Sequence, residues 1–241
     1  MLKPRFIPVL QILNGQLVKT ERFKKPRYIG DPLNAVRIFN EKEVDELIIL
    51  DISPERYQRG PDFELIDTLL SECQMPVGYG GGVRHLDDAR HIFHTGVEKV
   101  IINTLFFQSP DQVKQISQNY GEQALSLSLD FKKNWLGHIK FYTHSGSQKR
   151  RISLENILLQ SQEIGCGEII LHDIDRDGTF EGFSYNLLKE LDGKTNLPIV
   201  VLGGARHKND LEESVLQGAH SAAAGSMFVF QGPHKAVLIQ Y

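Results

Sequence analysis

Short apolar, β-branched runs recur along the chain, each followed by a longer segment in which apolar residues return every three or four positions. The runs are Arg5–Leu10, Glu46–Asp51, Met75–Gly80, Lys99–Asn103, Leu125–Asp130, Glu168–Asp173, Pro198–Leu202 and Ser221–Ala224. They predict eight strands. The segments between them predict helices over Asp31–Glu43, Asp62–Glu72, Leu86–Thr95, Ser109–Tyr120, Ser153–Ile164, Ser184–Leu191 and Asn209–Gln217. Near-continuous apolar strands alternating with helices imply a parallel sheet covered by helices. Eight such units in 241 residues fit an α/β fold closed as a (β/α)8 TIM barrel, one domain over residues 1–241. A hairpin-like insertion is expected around Lys132–Thr143.

An internal repeat sharpens this expectation. Slid by 122 residues, Glu46 falls on Glu168, Asp51 on Asp173, Gly60 on Gly182 and Pro76 on Pro198. Gly81-Gly82 fall on Gly203-Gly204, and Arg84-His85 on Arg206-His207. Asp88, Gly96 and Phe106 match Asp210, Gly218 and Phe228. Two pseudo-symmetric half-barrels, about 1–120 and 121–241, account for such a repeat; an open sheet does not.

Composition narrows the class. Lys and Arg number 27 against 30 Asp and Glu, a net charge of −3, with 41% hydrophobic residues. That balance argues against nucleic acid and against disorder. Only Cys73 and Cys166 occur, without C-x-x-C spacing, which suggests reduced thiols in a cytoplasmic protein. The N-terminal apolar run, interrupted by Pro8 and Gln11, is too short for a signal peptide or membrane span.

Barrels of this kind hold their chemistry at the C-terminal ends of the strands. Gly81 and Gly82 lead there to Asn103 and Thr104; Gly203 and Gly204 lead to Gly225 and Ser226. Glycine loops can cradle phosphate through backbone N–H groups, with hydroxyls adding hydrogen bonds. The plainer reading is that these glycines only turn strands into helices; their pairing at a matched offset favours two phosphate half-sites. Asp177 and Gly178, in the loop Asp175–Thr179, add to the second. Asp130, read as the last residue of strand 5, is placed as a general acid or base, with a helix cap or loop acceptor as the plainer alternative. Asp51 and Asp173, being repeat partners, divide evenly between structure and function. Gln11 tops strand 1 and can hold a substrate without exchanging a proton. Lys19, in the following loop, is either an anion contact or solvated surface. Arg5, Glu46, Lys99 and Glu168 begin strands 1, 2, 4 and 6, so their alternating signs could close a ring on the barrel floor. His85, His207, His138 and His144 give no metal pattern, and no G-x-G-x-x-G follows the first strand. Neither a metal nor a cofactor is expected.

Taken together, RFIPVLQI, YGGGV, SLDFKK, GEIILHDIDRDGT, LGGA and AAGSMF resemble the cyclase subunit of imidazole glycerol phosphate synthase (HisF-like) over nearly the whole chain. The resemblance implies that Gly82, Asn103 and Thr104 form one phosphate site and Gly178, Gly204, Gly225 and Ser226 contribute to the other. Asp130 matches one of two catalytic aspartates. Arg5, Glu46, Lys99 and Glu168 match a charged gate through which ammonia enters from a class I glutaminase partner at the N-terminal face. The second aspartate falls on Gln11. The ending GSMFVFQGPHKAVLIQY, which leaves little room for a full last helix, and the early FKKPRYIGDPLNAV are similar to paralogues of surface-polysaccharide biosynthesis, which would place nitrogen on a nucleotide-linked or lipid-linked sugar. The resemblance thus implies an ammonia-using amidotransferase subunit acting on a small phosphorylated or nucleotide-linked substrate. A histidine-pathway cyclase tolerating Gln11, and a silent phosphate-binding barrel, are the alternatives.

Overall fold

Eight parallel strands form a closed ring in the computed structural model, which describes residues 3–241. They are β1 Phe6–Leu13, β2 Leu47–Asp51, β3 Val77–Gly80, β4 Lys99–Ile102, β5 Leu125–Lys133, β6 Glu168–Asp173, β7 Ile199–Leu202 and β8 Ser221–Ala224. Each pairs with the next in parallel, and β8 returns to β1 with Ala222 opposite Phe6. The expected (β/α)8 barrel is the fold observed.

The connecting helices begin where the sequence supplies caps. Asp31 accepts from Leu33 N before Pro32–Glu41, Asp62 from Leu65 N before Phe63–Leu70, and Ser153 from Asn156 N before Leu154–Ile164. The last of these stops at Gly165, whose φ of 78° is left-handed. Outward-facing strand residues pack with the helices in one large apolar core, including Leu10, Leu47, Val100, Leu127 and Val201.

Alternation along the strands builds the interior in tiers. Ile7, Val9, Ile48, Ile101, Ile170, Val200, Leu202 and Ala223 point inward and form a separate apolar cluster along the axis. Below it lie Arg5, Glu46, Lys99 and Glu168; above it opens the mouth. Inside, β3 contributes only Gly78 and Gly80, because a Cβ on Gly78 would sit 3.3 Å from Ile101 Cδ1.

The repeat is equally visible in the bonds. Ser53 N donates to Asp51 Oδ1 at 2.9 Å and Asp175 N to Asp173 Oδ1 at 3.1 Å. Arg84 N donates to Asp88 Oδ2 at 2.9 Å and Arg206 N to Asp210 Oδ2 at 2.7 Å. Gly81 and Gly203 adopt φ of 130° and 104°, and a side chain on either would drive into the carbonyl of Asp51 or Asp173. These two glycines therefore have a sufficient reason in backbone packing alone.

Two local features differ from the sequence expectation, whereas the short last helix follows it. Residues 16–30 form a hairpin, Gln16–Glu21 with Lys24–Gly30, rather than a loop. Its charged residues disguise a strand buried on both faces, with Leu17, Val18, Lys19 and Thr20 all inaccessible at the barrel mouth. Asp130 does not end β5: the strand continues to Lys133 because Phe131–Lys133 pair antiparallel with Ile139–Phe141, the expected hairpin insertion. After β8, a short helix Ser226–Val229 is followed by paired strands Phe230–Gln231 and Ala236–Val237. Tyr241 then stacks on Phe228 and its hydroxyl donates to Phe6 O at 3.1 Å, covering a flank that a longer helix would cover. No helix among the described residues is long and apolar enough to cross a membrane.

Candidate active site

A cavity of about 710 Å3 opens at the C-terminal end of the barrel. Gln11, Asp130, Gly81, Gly82, Asn103 and Thr104 all line it, so the first glycine set, the expected acid or base and the substrate-holding amide meet in one place. Asp51, with Arg56 Nε at 3.0 Å from its Oδ2, and Tyr57, stacked on His144 at 4.7 Å, complete one wall.

Asp130 is buried, and Ser128 Oγ donates to its Oδ1 at 2.8 Å. Burial pushes its pKa up, partly countered by His172 and Ser128, as suits a group that must take up and return a proton. Gln11 has a fixed orientation: its Oε1 accepts Thr20 N at 3.1 Å, which turns its amide nitrogen away from that hairpin strand. Among the described residues that nitrogen has no hydrogen-bond partner, and Gln11 faces the cavity as a donor where a carboxylate would be an acceptor. Asn103 is committed to the scaffold, since its Nδ2 donates to Ser128 O at 3.0 Å and Tyr142 O at 3.2 Å. A ligand at this point is left with backbone N–H groups and Thr104 Oγ1, which already accepts His144 N at 3.3 Å. Asp51 and Asp173 share the loop-capping bonds described above, and burial raises both.

The second glycine set is not part of this cavity. The hairpin 16–30 lies over it: Arg22 N donates to Asp177 O at 2.8 Å, Thr20 Oγ1 to Asp177 Oδ2 at 3.0 Å, and Gly178 packs against Thr20 O. Lys19 is neither in a loop nor at the surface. Its ammonium is buried, bonded to Val9 O and pressed against Gly225. The ammonium thus lies beside Gly225, one of the glycines expected to meet an anion. Desolvation lowers Lys19 to about 8, with Asp177 opposing the shift. Its folded pKa thus lies below the ordinary 10.5, so the unfolded chain binds more protons between pH 8 and 10.5 and stability rises with pH across that window. The wild type is expected to gain about 3 kcal/mol over Lys19→Met between pH 8 and 10.5 in urea titrations. Parallel pH curves for the two proteins would refute this.

At the opposite end the four expected charges form a closed ring. Arg5 Nη1 pairs with Glu46, and Arg5 Nη2 with Glu168 at 2.8 Å. Lys99 Nζ reaches Glu46 at 3.1 Å and Glu168 at 3.4 Å. Ser126 Oγ donates to Glu168 Oε1 at 2.7 Å and Arg5 Nε to Ser221 Oγ at 3.3 Å. Burial pushes Glu168 up, but Lys99, Arg5 and Ser126 together hold it below the usual range.

Arg56, Tyr57, Ser128 and His172 escaped the sequence reading. His172 lines the cavity beside Asp130, its direct neighbour in the β5–β6 register. The signal was present: on β6, Glu168, Ile170 and His172 share one face, so a Glu168 in the floor puts His172 in the mouth.

Comparison with known proteins agrees with this geometry. The family described as histidine biosynthesis protein matches residues 5–234. A Leptospira interrogans protein provisionally named imidazole glycerol phosphate synthase subunit HisF is 46% identical over all of this chain and 96% of its own length. A Pseudomonas aeruginosa protein with a similar provisional name is 43% identical, covering 100% of this chain and 96% of its own. The imidazole glycerol phosphate synthase subunit HisF of Chlorobium chlorochromatii is 35% identical over 96% of this chain and 92% of its own. With its closed barrel, its mouth cavity and these relatives, the chain belongs to the HisF family of imidazole glycerol phosphate synthase subunits.

Proposed function

We propose that this protein is the ammonia-accepting subunit of a glutamine amidotransferase, using nitrogen from a glutaminase that docks at the N-terminal face. The observation that carries the reading is the fully paired ring of Arg5, Glu46, Lys99 and Glu168 at the end of the barrel opposite the cavity. Beyond the ring the axis is occupied by a packed cluster of aliphatic side chains. Moving an ion past such a cluster costs far more than moving a small neutral molecule. Ammonia fits that requirement; ammonium does not.

The acceptor is a phosphorylated or nucleotide-linked sugar of surface-polysaccharide assembly, gripped at Gly82 and Thr104 and attacked beside Asp130. Gln11 supports a departure from ring-forming chemistry. Two proton-transferring carboxylates become one carboxylate and one amide donor, and an amide cannot take up a proton near neutral pH.

Purified protein mixed with a class I glutaminase of the same organism tests the reading. A stable complex and at least tenfold faster glutamate release are expected. Failure to bind or to stimulate would sink it. Wild-type protein given the histidine-pathway intermediate and ammonium chloride is expected to show no turnover; steady turnover would establish the histidine-pathway cyclase instead.

A further inference from the structure

We propose that His172 is the proton partner of Asp130, so that imidazole and carboxylate together form the acid–base couple that Gln11 alone cannot supply. The inference rests on reading this cavity as the reaction site. Its geometry is independent of which acceptor binds.

His172 is buried, with one nitrogen turned toward each of two carboxylates. Nδ1 lies 3.8 Å from Asp130 Oδ1 and Nε2 lies 3.5 Å from Asp177 Oδ1. Neither separation makes a hydrogen bond, and Nε2 is buried without any hydrogen-bond partner. An orphaned buried nitrogen is costly in a side chain that serves only structure. It is reasonable in one whose contacts tighten when a substrate arrives. Phe23, from the 16–30 hairpin, sets its ring edge-on against the imidazole at 4.7 Å, and both rings line the cavity. Asp177 is held in turn by Thr20 Oγ1, and Thr20 N holds Gln11 Oε1. One polar chain therefore runs Gln11, Thr20, Asp177, His172, Asp130 across the base of the cavity.

The charges facing the imidazole come from each element around it. Asp130 projects from β5, Asp177 from the loop after β6, and Asp173 follows on the same strand; Lys19, on the hairpin, is drawn to Asp177. Three carboxylates therefore face a single ammonium, that of Lys19, and a proton on His172 reduces the remaining negative charge. Burial opposes that proton, but Asp177, Asp130 and Asp173 outweigh it and raise the imidazole above its ordinary value.

The step is a single proton transfer. In one state His172 carries the proton and Asp130 is a carboxylate able to accept another from an amine nitrogen formed by ammonia. In the other, Nδ1–H has passed its proton to Asp130, which becomes a carboxylic acid able to donate to a departing oxygen. No other bond changes, and the roughly 1 Å contraction needed to reach hydrogen-bond distance is a side-chain movement.

Histidine-labelled whole protein followed by 1H–15N NMR from pH 5 to 9 tests the couple without substrate. The His172 signal is identified by its loss in His172→Gln. Its midpoint is expected to lie above the ordinary imidazole value, and Asp130→Asn is expected to lower it by about one unit, a tenfold loss of proton affinity. Should Asp130→Asn fail to fold, the Asp130 carboxyl 13C titration in wild type against His172→Gln reads the same coupling from the other side. A His172 midpoint at or below the ordinary imidazole value, or two titrations indifferent to each other, overturns the proposal. In the complex with glutaminase, His172→Gln is expected to displace the pH profile of kcat for 15N incorporation by a unit or more. If no nitrogen transfer is found but the NMR coupling is present, the functional reading has failed and the couple stands.

Discussion

Asp130→Asn is expected to slow nitrogen transfer by about 10²–10⁴-fold, the range for loss of a positioned acid or base. The substitution preserves shape and the acceptor for Ser128 Oγ but removes the ability to hold and return a proton. Incorporation of 15N from labelled ammonium into the acceptor measures it. Because Asp130 is a buried carboxylate whose pKa is raised by desolvation, the folded protein is expected to tolerate the amide well. An unchanged thermal midpoint beside a collapsed rate would separate chemistry from folding. A variant retaining more than a tenth of wild-type turnover would remove Asp130 from the reaction.

Glu168→Leu is expected to cost about 3–5 kcal/mol of folding stability, the range for breaking a buried charge network by deleting one member. Glu168 accepts from Ser126 and pairs with both Arg5 and Lys99, so its removal leaves two cations sharing Glu46. Urea midpoints at pH 7 measure the loss. Since the pKa of Glu168 is depressed in the folded protein, its contribution is fully present above its ordinary value near 4.5 and fades as pH falls through the lower folded value. The gap between wild type and variant should therefore narrow under acid. Replacing all four charges together by Met or Leu is expected to recover most of the stability, because an apolar plug of similar volume needs no compensation. A gap that does not depend on pH would mean that packing, rather than charge, holds the floor.

Both ends of the barrel were legible to different degrees, and for physical reasons. The floor was readable because Arg5, Glu46, Lys99 and Glu168 occupy equivalent strand starts, where the closed ring leaves them nowhere to point but inward. Asp130 and Gln11 were read from their places toward the C-terminal ends of apolar strands, where such barrels hold their chemistry. Their surroundings were not. Lys19 looked like solvated surface because only the folded hairpin reveals that it crosses the mouth and inserts its ammonium beside Gly225. His172 went unnoticed because its meaning depends on Asp177, five residues away along a turn, and on Phe23 from another part of the chain. The duplicated glycines were read as ligand cradles, yet Gly81 and Gly203 are also demanded by the carbonyls of Asp51 and Asp173. Repetition in sequence recorded a shared scaffold, while the hairpin made the two halves unequal.

That inequality has a kinetic consequence. A ligand anchored at one end only, through Gly82 and Thr104, meets an open vestibule. A longer one seeking the opposite glycines must first peel the hairpin from Asp177 and withdraw Lys19 from Val9. Such a ligand would associate slowly and, once the strand settled back over it, depart slowly too.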